Sequence, residues 1–308
     1  MYDKIIGQGF DLPGNIQTLP SGKSKILDEL KYCEIICSDN VSHYFYEVDD
    51  KNEWNLEKDF PNLAPPFERC WIEYRIPGKI NADRHILTRS NDLERVGILV
   101  LAQPMIYPEY ENETGWLLTL LAFVENKNVP IIGPVFEAKL CVYHDGQFRR
   151  FTKEQCFPIV IPAAGNLSQS EADTLHLTGI ITLAYPALLT FCFLHCKNVE
   201  VIQNYPPFKL SHSNQKRHGR PLVRFKTLNI QPIKAVLKKE GQSETSGLKR
   251  ALHICRGHFK NYSKHGLFGK TKGTFWWNAQ ARGSMDEGVV IKDYNVKRPG
   301  IIDNRSGS

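Results

Sequence analysis

The chain has 308 residues, 42% of them apolar and 23% charged, with 39 Lys and Arg against 33 Asp and Glu for a formal charge of +6. This much apolar content excludes a disordered chain, and 22 Gly and 18 Pro without a period exclude collagen-like and other low-complexity fibres. The length suits one large domain or two ordinary ones, with enough chain to bury a sizeable core.

The first residues, MYDKIIGQGFDLPG, lack the apolar run and small-residue cleavage site of a signal peptide. Eight Cys are too sparse in a chain this long for a disulfide scaffold, so reduced thiols and a cytoplasmic location are expected. Pro13, Gly14 and Pro20 punctuate an extended lead. Ile26, Leu27 and Leu30 then predict a helix from Ser24 to Cys33. Gly22-Lys23-Ser24 invites comparison with a phosphate-binding loop. That loop needs a further Gly at position 17, which is Gln17, so a helix cap is the better assignment.

Short strands are predicted for HYFYEV, FERCWIEYRI, RVGILVLAQ and KLCVYH, which are rich in β-branched and aromatic residues. Asp145-Gly146 is a hairpin signal after the last of them. GWLLTLLAFVE (115–125) fits a buried strand or a helix equally. From Thr174 to Cys196 no Asp, Glu, Lys or Arg occurs. The capping box Ser168–Glu171 and the polar interruptions make this a buried soluble helix, kinked at Pro186, rather than a membrane span. Cys33/Cys37 and Cys192/His195/Cys196 have ligand-like spacing, but nothing in the sequence brings the two couplets together, and packing accounts for them. No metal and no cofactor are expected.

Beyond Pro206, SHSNQKRHGRP (211–221) reads as an exposed basic connection, PLVRFKTLNIQPI as an alternating strand, and GQSETSG as a loop. ALHICRGHF (251–259) and GVVIKDYNV (288–296) are further strand candidates. Charge separates along the chain. Residues 1–200 hold 18 Lys/Arg and 27 Asp/Glu, a net −9, whereas residues 201–308 hold 21 and 6, a net +15. Such a split points to a basic functional surface on an acidic scaffold.

That surface is sought in 252–296, where no acidic residue occurs from Ala251 through Met285. Lys264, His265, Lys270, Lys272 and Arg282 supply donors for phosphate oxygens. Tyr262, Phe275, Trp276 and Trp277 interleave with them as candidates for stacking on bases. If 251–259 is one strand, Arg256 and His258 share a face with Lys260 next in phase. His258 is then the candidate general acid/base, with His253 second, and Arg256 and Lys260 would stabilise phosphate, a set suited to cleaving RNA without metal. The competing interpretation makes the tryptophans core anchors and the lysines a solvated face. At least one of Trp276 and Trp277 must point inward if they lie on a strand.

The segment HICRGHFK…GLFGKTKGTFWW…ARG…GVVIKDYNV resembles a block shared by uncharacterised proteins of phages, prophages and other bacterial mobile elements. The resemblance covers roughly the last hundred residues, implies a bacterial or phage origin, and carries no active site with it.

The expected architecture is α+β. A mixed sheet scaffold with a buried, Pro-kinked helix would occupy 1–205, and a basic, aromatic antiparallel sheet module packed against it would occupy 206–308. The expected function is nucleic-acid binding, to RNA or DNA, with metal-independent ribonuclease activity as its enzymatic form. The alternative is a non-enzymatic protein of toxin–antitoxin or phage-defence type whose basic face docks an acidic protein partner.

Overall fold

The computed structural model describes residues 1–12, 22–48, 56–77, 93–107, 113–126, 130–148, 183–230, 251–255, 258–267, 271–277, 280–282 and 284–289. The fold is α+β. Seven strands form one mixed sheet: β1 (Glu34–Cys37), β2 (Arg69–Arg75), β3 (Leu93–Tyr107), β4 (Glu113–Asn126), β5 (Ile132–Tyr143), β6 (Val199–Asn204) and β7 (Phe225–Ile230), in the order β5-β4-β3-β2-β1-β7-β6. β1 runs parallel to both β2 and β7, and every other pair is antiparallel. The segment 115–125, ambiguous by period, lies in β4, where the long β3 and β5 flank it on both sides.

β7 lies between β1 and β6, so the sheet extends past residue 205 into the part of the chain expected to form the second module. The remaining strands form two small sheets. β9 (His258–Asn261) pairs antiparallel with β10 (Thr274–Trp277). β8 (Ala251–Cys255) takes β11 (Gln280–Arg282) antiparallel and β12 (Ser284–Val289) parallel.

From β1 to β5 both faces of the large sheet are covered, and β3, β4 and β5 read as near-continuous apolar runs, whereas β6 at the end of the order buries none of its residues. On the first face lie Ile36, Ile72, Ile98, Leu120 and their in-phase neighbours. They pack against α3 (Asp39–Val48) and the helix over 183–194, which we label α5. From 183 to 193 every α5 residue is buried, as an all-round apolar helix requires, and no helix among the described residues is long and apolar enough to cross a membrane. The N-terminal part of the predicted helix lies outside the described residues.

On the second face Ile35, Trp71, Leu99 and Leu121 are covered by α1 (Tyr2–Gln8) and α2 (Lys23–Leu30). Gly97 makes room there for Trp71: a Cβ at Gly97 would meet the indole at 2.0 Å.

Two sequence expectations change. HYFYEV is not a strand but the body of α3. The six-residue window began after the helix start at Ser38, whose carbonyl accepts from Val41 and Ser42, and Val41, Ser42 and Phe45 then bury with helical spacing. The basic connection 211–221 is largely α6 (Phe208–His218), closed by Gly219 in the left-handed conformation at φ 73°. The short α4 (Leu56–Asp59) completes the helices named here.

Candidate nucleic-acid interface

The predicted continuous strand 251–259 is two strands in two different sheets, β8 and β9. His253 and His258, on opposite faces of the expected single strand, therefore lie in different sheets. His253 pairs in register with Arg282 on β11. Arg256 and Lys270 lie outside the described residues. What the fold brings together is the β9–β10 ribbon. Its register sets Trp277 opposite His258, Trp276 opposite Phe259, and Phe275 opposite Lys260. Residues directly opposite share a face and successive residues alternate, so the ribbon has two chemically distinct sides.

The inner side carries Phe259 and Trp276. Trp276, 4% exposed, sits at ring-centroid distances of 4.7 Å from Phe259, 4.8 Å from Phe193 on α5 and 4.8 Å from Tyr44 on α3, each an edge contact. Asn198, just before β6, imitates a strand neighbour. Its side-chain amide donates to the Trp276 carbonyl at 2.7 Å, and its oxygen accepts the Trp276 N–H at 2.8 Å. The Lys197 N–H donates to the Thr274 carbonyl at 2.8 Å. These bonds dock the ribbon on the core of the large sheet.

The outer side carries His258, Lys260, Tyr262, Phe275 and Trp277. Phe275, fully buried, forms a small cluster with Leu267, against which Tyr262 and Trp277 pack half-buried. The Lys260 ammonium lies 5.1 Å from the Tyr262 ring centre and 5.7 Å from that of Trp277, within cation–π range of both. His258 and Lys260 are exposed two residues apart on this side. The loop between the strands adds exposed Lys264, His265 and Lys272, and it turns through Gly266 and Gly273, both at positive φ.

Tyr262, Phe275 and one of Trp276 and Trp277 are expected to stack. The rings of Phe275 and Trp276 are buried, so they hold the ribbon together and in place, and Tyr262 and Trp277 are the partly exposed rings of the four. Among the described candidates, the fold gathers His258, Lys260, Tyr262 and Trp277 on one side.

A cavity of about 640 Å³ opens over β1 and β7, with Ile35, Cys37, Phe225 and Thr227 among its lining residues. Its charged groups are committed to the fold. Glu73 accepts from the Tyr2 N–H and the Trp71 indole N–H, each at 3.0 Å, with the Met1 ammonium at 3.4 Å and Arg95 at 3.6 Å. Asp39 accepts the Arg75 N–H at 2.8 Å. Burial pushes the Cys37 thiol up to about 12, the wrong direction for a nucleophile. Cys192 on α5 and Cys196 just past its end are likewise buried, and His195 is bonded to the Ala64 carbonyl at 2.8 Å. Asp3 also lines the cavity, and burial pushes its carboxyl up despite the Arg220 guanidinium at 3.9 Å. Cations and partly exposed rings together occur on the ribbon's outer side, which is the better candidate for a nucleic-acid interface.

Comparison of the sequence with models of protein families finds no match, and comparison with curated proteins finds none either.

Proposed function

We propose that the chain binds single-stranded nucleic acid through the outer side of the β9–β10 ribbon. The observation that carries this reading is the Lys260 ammonium within cation–π range of both the Tyr262 and the Trp277 ring. A surface that only repels water would not keep an ammonium over its aromatic rings. One that only attracts anions would not need the rings. Together they suit a strand whose bases stack on aromatic faces while the intervening phosphates meet cations. The absence of acidic residues from Ala251 through Met285 leaves nothing in that stretch of chain to repel the backbone.

Metal-independent RNA cleavage is the second reading, favoured by His258 lying in phase with Lys260 on an exposed strand face. The His258 imidazole would take the ribose 2′-hydroxyl proton as that oxygen attacks phosphorus. The bond to the 5′-oxygen breaks, a 2′,3′-cyclic phosphate forms, and the departing oxygen takes a proton from water.

Fluorescence anisotropy with labelled pyrimidine oligonucleotides, ribo and deoxy, tests both readings. Trp277→Ala should weaken binding by about 5- to 150-fold, the loss of one stacked base. Lys260→Gln should make the salt dependence shallower by about 0.7 in log–log slope. No binding by the unaltered protein at about 50 mM salt, where phosphate contacts dominate, would leave an acidic protein partner as the explanation of the cations. His258→Ala should abolish release of cyclic phosphate while binding stays unchanged. Undiminished release removes the catalytic role.

A further inference from the structure

Among the described residues seven large apolar side chains are exposed, and five of them, Val201, Ile202, Tyr205, Phe208 and Leu210, fall within ten consecutive positions. They span β6, which ends the sheet order among the described residues, and the start of α6. α6 buries none of its residues, and Tyr205 and Phe208 are 73% and 81% exposed. Polar contacts nevertheless fix the helix. Ser211 Oγ accepts the Leu222 N–H at 3.1 Å, and the Asn214 amide donates to the Arg220 carbonyl at 2.9 Å. Arg220 in turn pairs with Asp3 of α1 at 3.9 Å.

The exposed charges on α6 are all basic or imidazole: Lys209, His212, Lys216, Arg217 and His218. No acidic residue occurs from Val201 through Lys239. The three C-terminal groups, Lys216, Arg217 and His218, complement the helix dipole, so helix stability alone accounts for them. It does not account for Lys209, which lies in the first turn, where a cation opposes the dipole. Nor does packing account for Phe208, whose ring stacks only on His212 in the contacts described, at 5.8 Å and 19°. An exposed aromatic pair beside cations repeats the chemistry of the ribbon's outer side.

We propose that Tyr205 and α6 form a second contact for the same nucleic-acid strand, held at a fixed distance from the β9–β10 ribbon by β6. This rests on the ribbon binding nucleic acid. β6 is the spacer because Asn198 clamps the ribbon immediately before it and Tyr205 follows immediately after it, three residues ahead of α6. Its six residues span roughly 20 Å at the ordinary strand rise. That distance corresponds to about six nucleotides at the rise of one stacked strand. An anionic membrane suits this surface less well. Phe208 and Leu210 are two residues apart and do not share the single stripe that an interfacial helix needs.

The test combines oligonucleotide length with a triple variant, Lys209→Gln, Lys216→Gln and Arg217→Gln, all at exposed positions. Pyrimidine oligomers of about 4 and about 16 nucleotides bracket the footprint of a single-strand site. The variant should bind the longer oligomer at least about tenfold more weakly, with a log–log salt slope shallower by about 2 for three lost phosphate contacts. The shorter oligomer should bind it as it binds the unaltered protein. Unchanged affinity and slope for the longer oligomer overturn the α6 contact and leave the ribbon reading standing. The same holds if the variant loses only binding to phosphatidylserine vesicles. If the unaltered protein binds neither oligomer, the nucleic-acid reading itself fails.

Discussion

The two sides of the β9–β10 ribbon are built from the same eight residues and do opposite things. Inward, Phe259 and Trp276 complete an aromatic cluster with Tyr44 and Phe193, and the backbone of Trp276 is bonded on both its polar groups by Asn198. Outward, Lys260 and His258 stay in solvent beside half-buried Tyr262 and Trp277. The difference teaches that aromatic density in a basic segment is not by itself a binding signature, because strand alternation divides the rings between anchoring and presentation. A rigid inner side is also what lets a two-stranded unit hold its outer groups in place, since isolated two-stranded ribbons are at best marginal in water.

The largest break in this comparison comes from Trp276→Ala. Removing a buried indole should cost about 3–5 kcal/mol of stability, read as a lower denaturant midpoint, and nucleic-acid binding should fall with it. Trp277→Ala, which removes a half-buried ring, should cost clearly less stability than Trp276→Ala while lowering affinity. Equal stability losses from the two would erase the distinction between the sides. An inward effect comparable in size to that of Trp276→Ala is expected from Asn198→Ala, which leaves the Trp276 N–H and carbonyl without their partner. One or two unsatisfied buried groups cost about 1–3 kcal/mol each. Asn198→Asp restores the acceptor and not the donor, so it should recover part of the loss.

Much of the large sheet could be read in the chain. β2, β3, β5 and β7 follow apolar or alternating runs bounded by turn residues, and the Asp145-Gly146 turn forms with the Gly146 N–H returning to the Tyr143 carbonyl at 2.8 Å. α3 escaped because aromatic β-propensity in six residues outweighed a helical burial period that becomes visible only from Ser38 onward. The split of 251–259 into β8 and β9 escaped for a different reason: which sheet a strand joins is decided by partners distant in sequence, here β10 and β11. The basic, aromatic character of the site was legible from composition. The allocation of roles was not, because Phe275, Trp276 and Trp277 are adjacent and chemically alike, and only the docking against Phe193 and Asn198 separates them. α6 had a legible signal in the acid-free run 201–239. Its polar composition concealed the helix, since the contacts described for it are mainly polar.

The smallest expected effect sharpens the comparison by acting on the other face of the sheet, away from the ribbon. Burial pushes the Glu73 carboxyl up, but the Met1 ammonium, the Trp71 and Tyr2 N–H donors and Arg95 outweigh it and hold the group below the ordinary carboxylate range. A folded-state value lower than the unfolded one, which is about 4.3 for Glu, adds stability that is fully present above that pH. The contribution is lost as pH falls through the folded value. Glu73→Gln should therefore cost about 2 kcal/mol near pH 7, the size of hydrogen bonds to a charged group. The gap to the unaltered protein should close progressively as the medium is acidified from about pH 4 down through the folded value, below which both carry a neutral side chain. Because Glu73 bonds to Tyr2 and Trp71 of the second core, and Trp276 belongs to the first, oligonucleotide affinity at neutral pH should not change. A matching loss of affinity would mean that the ribbon's placement depends on both faces of the sheet and not on the Tyr44–Phe193 side alone.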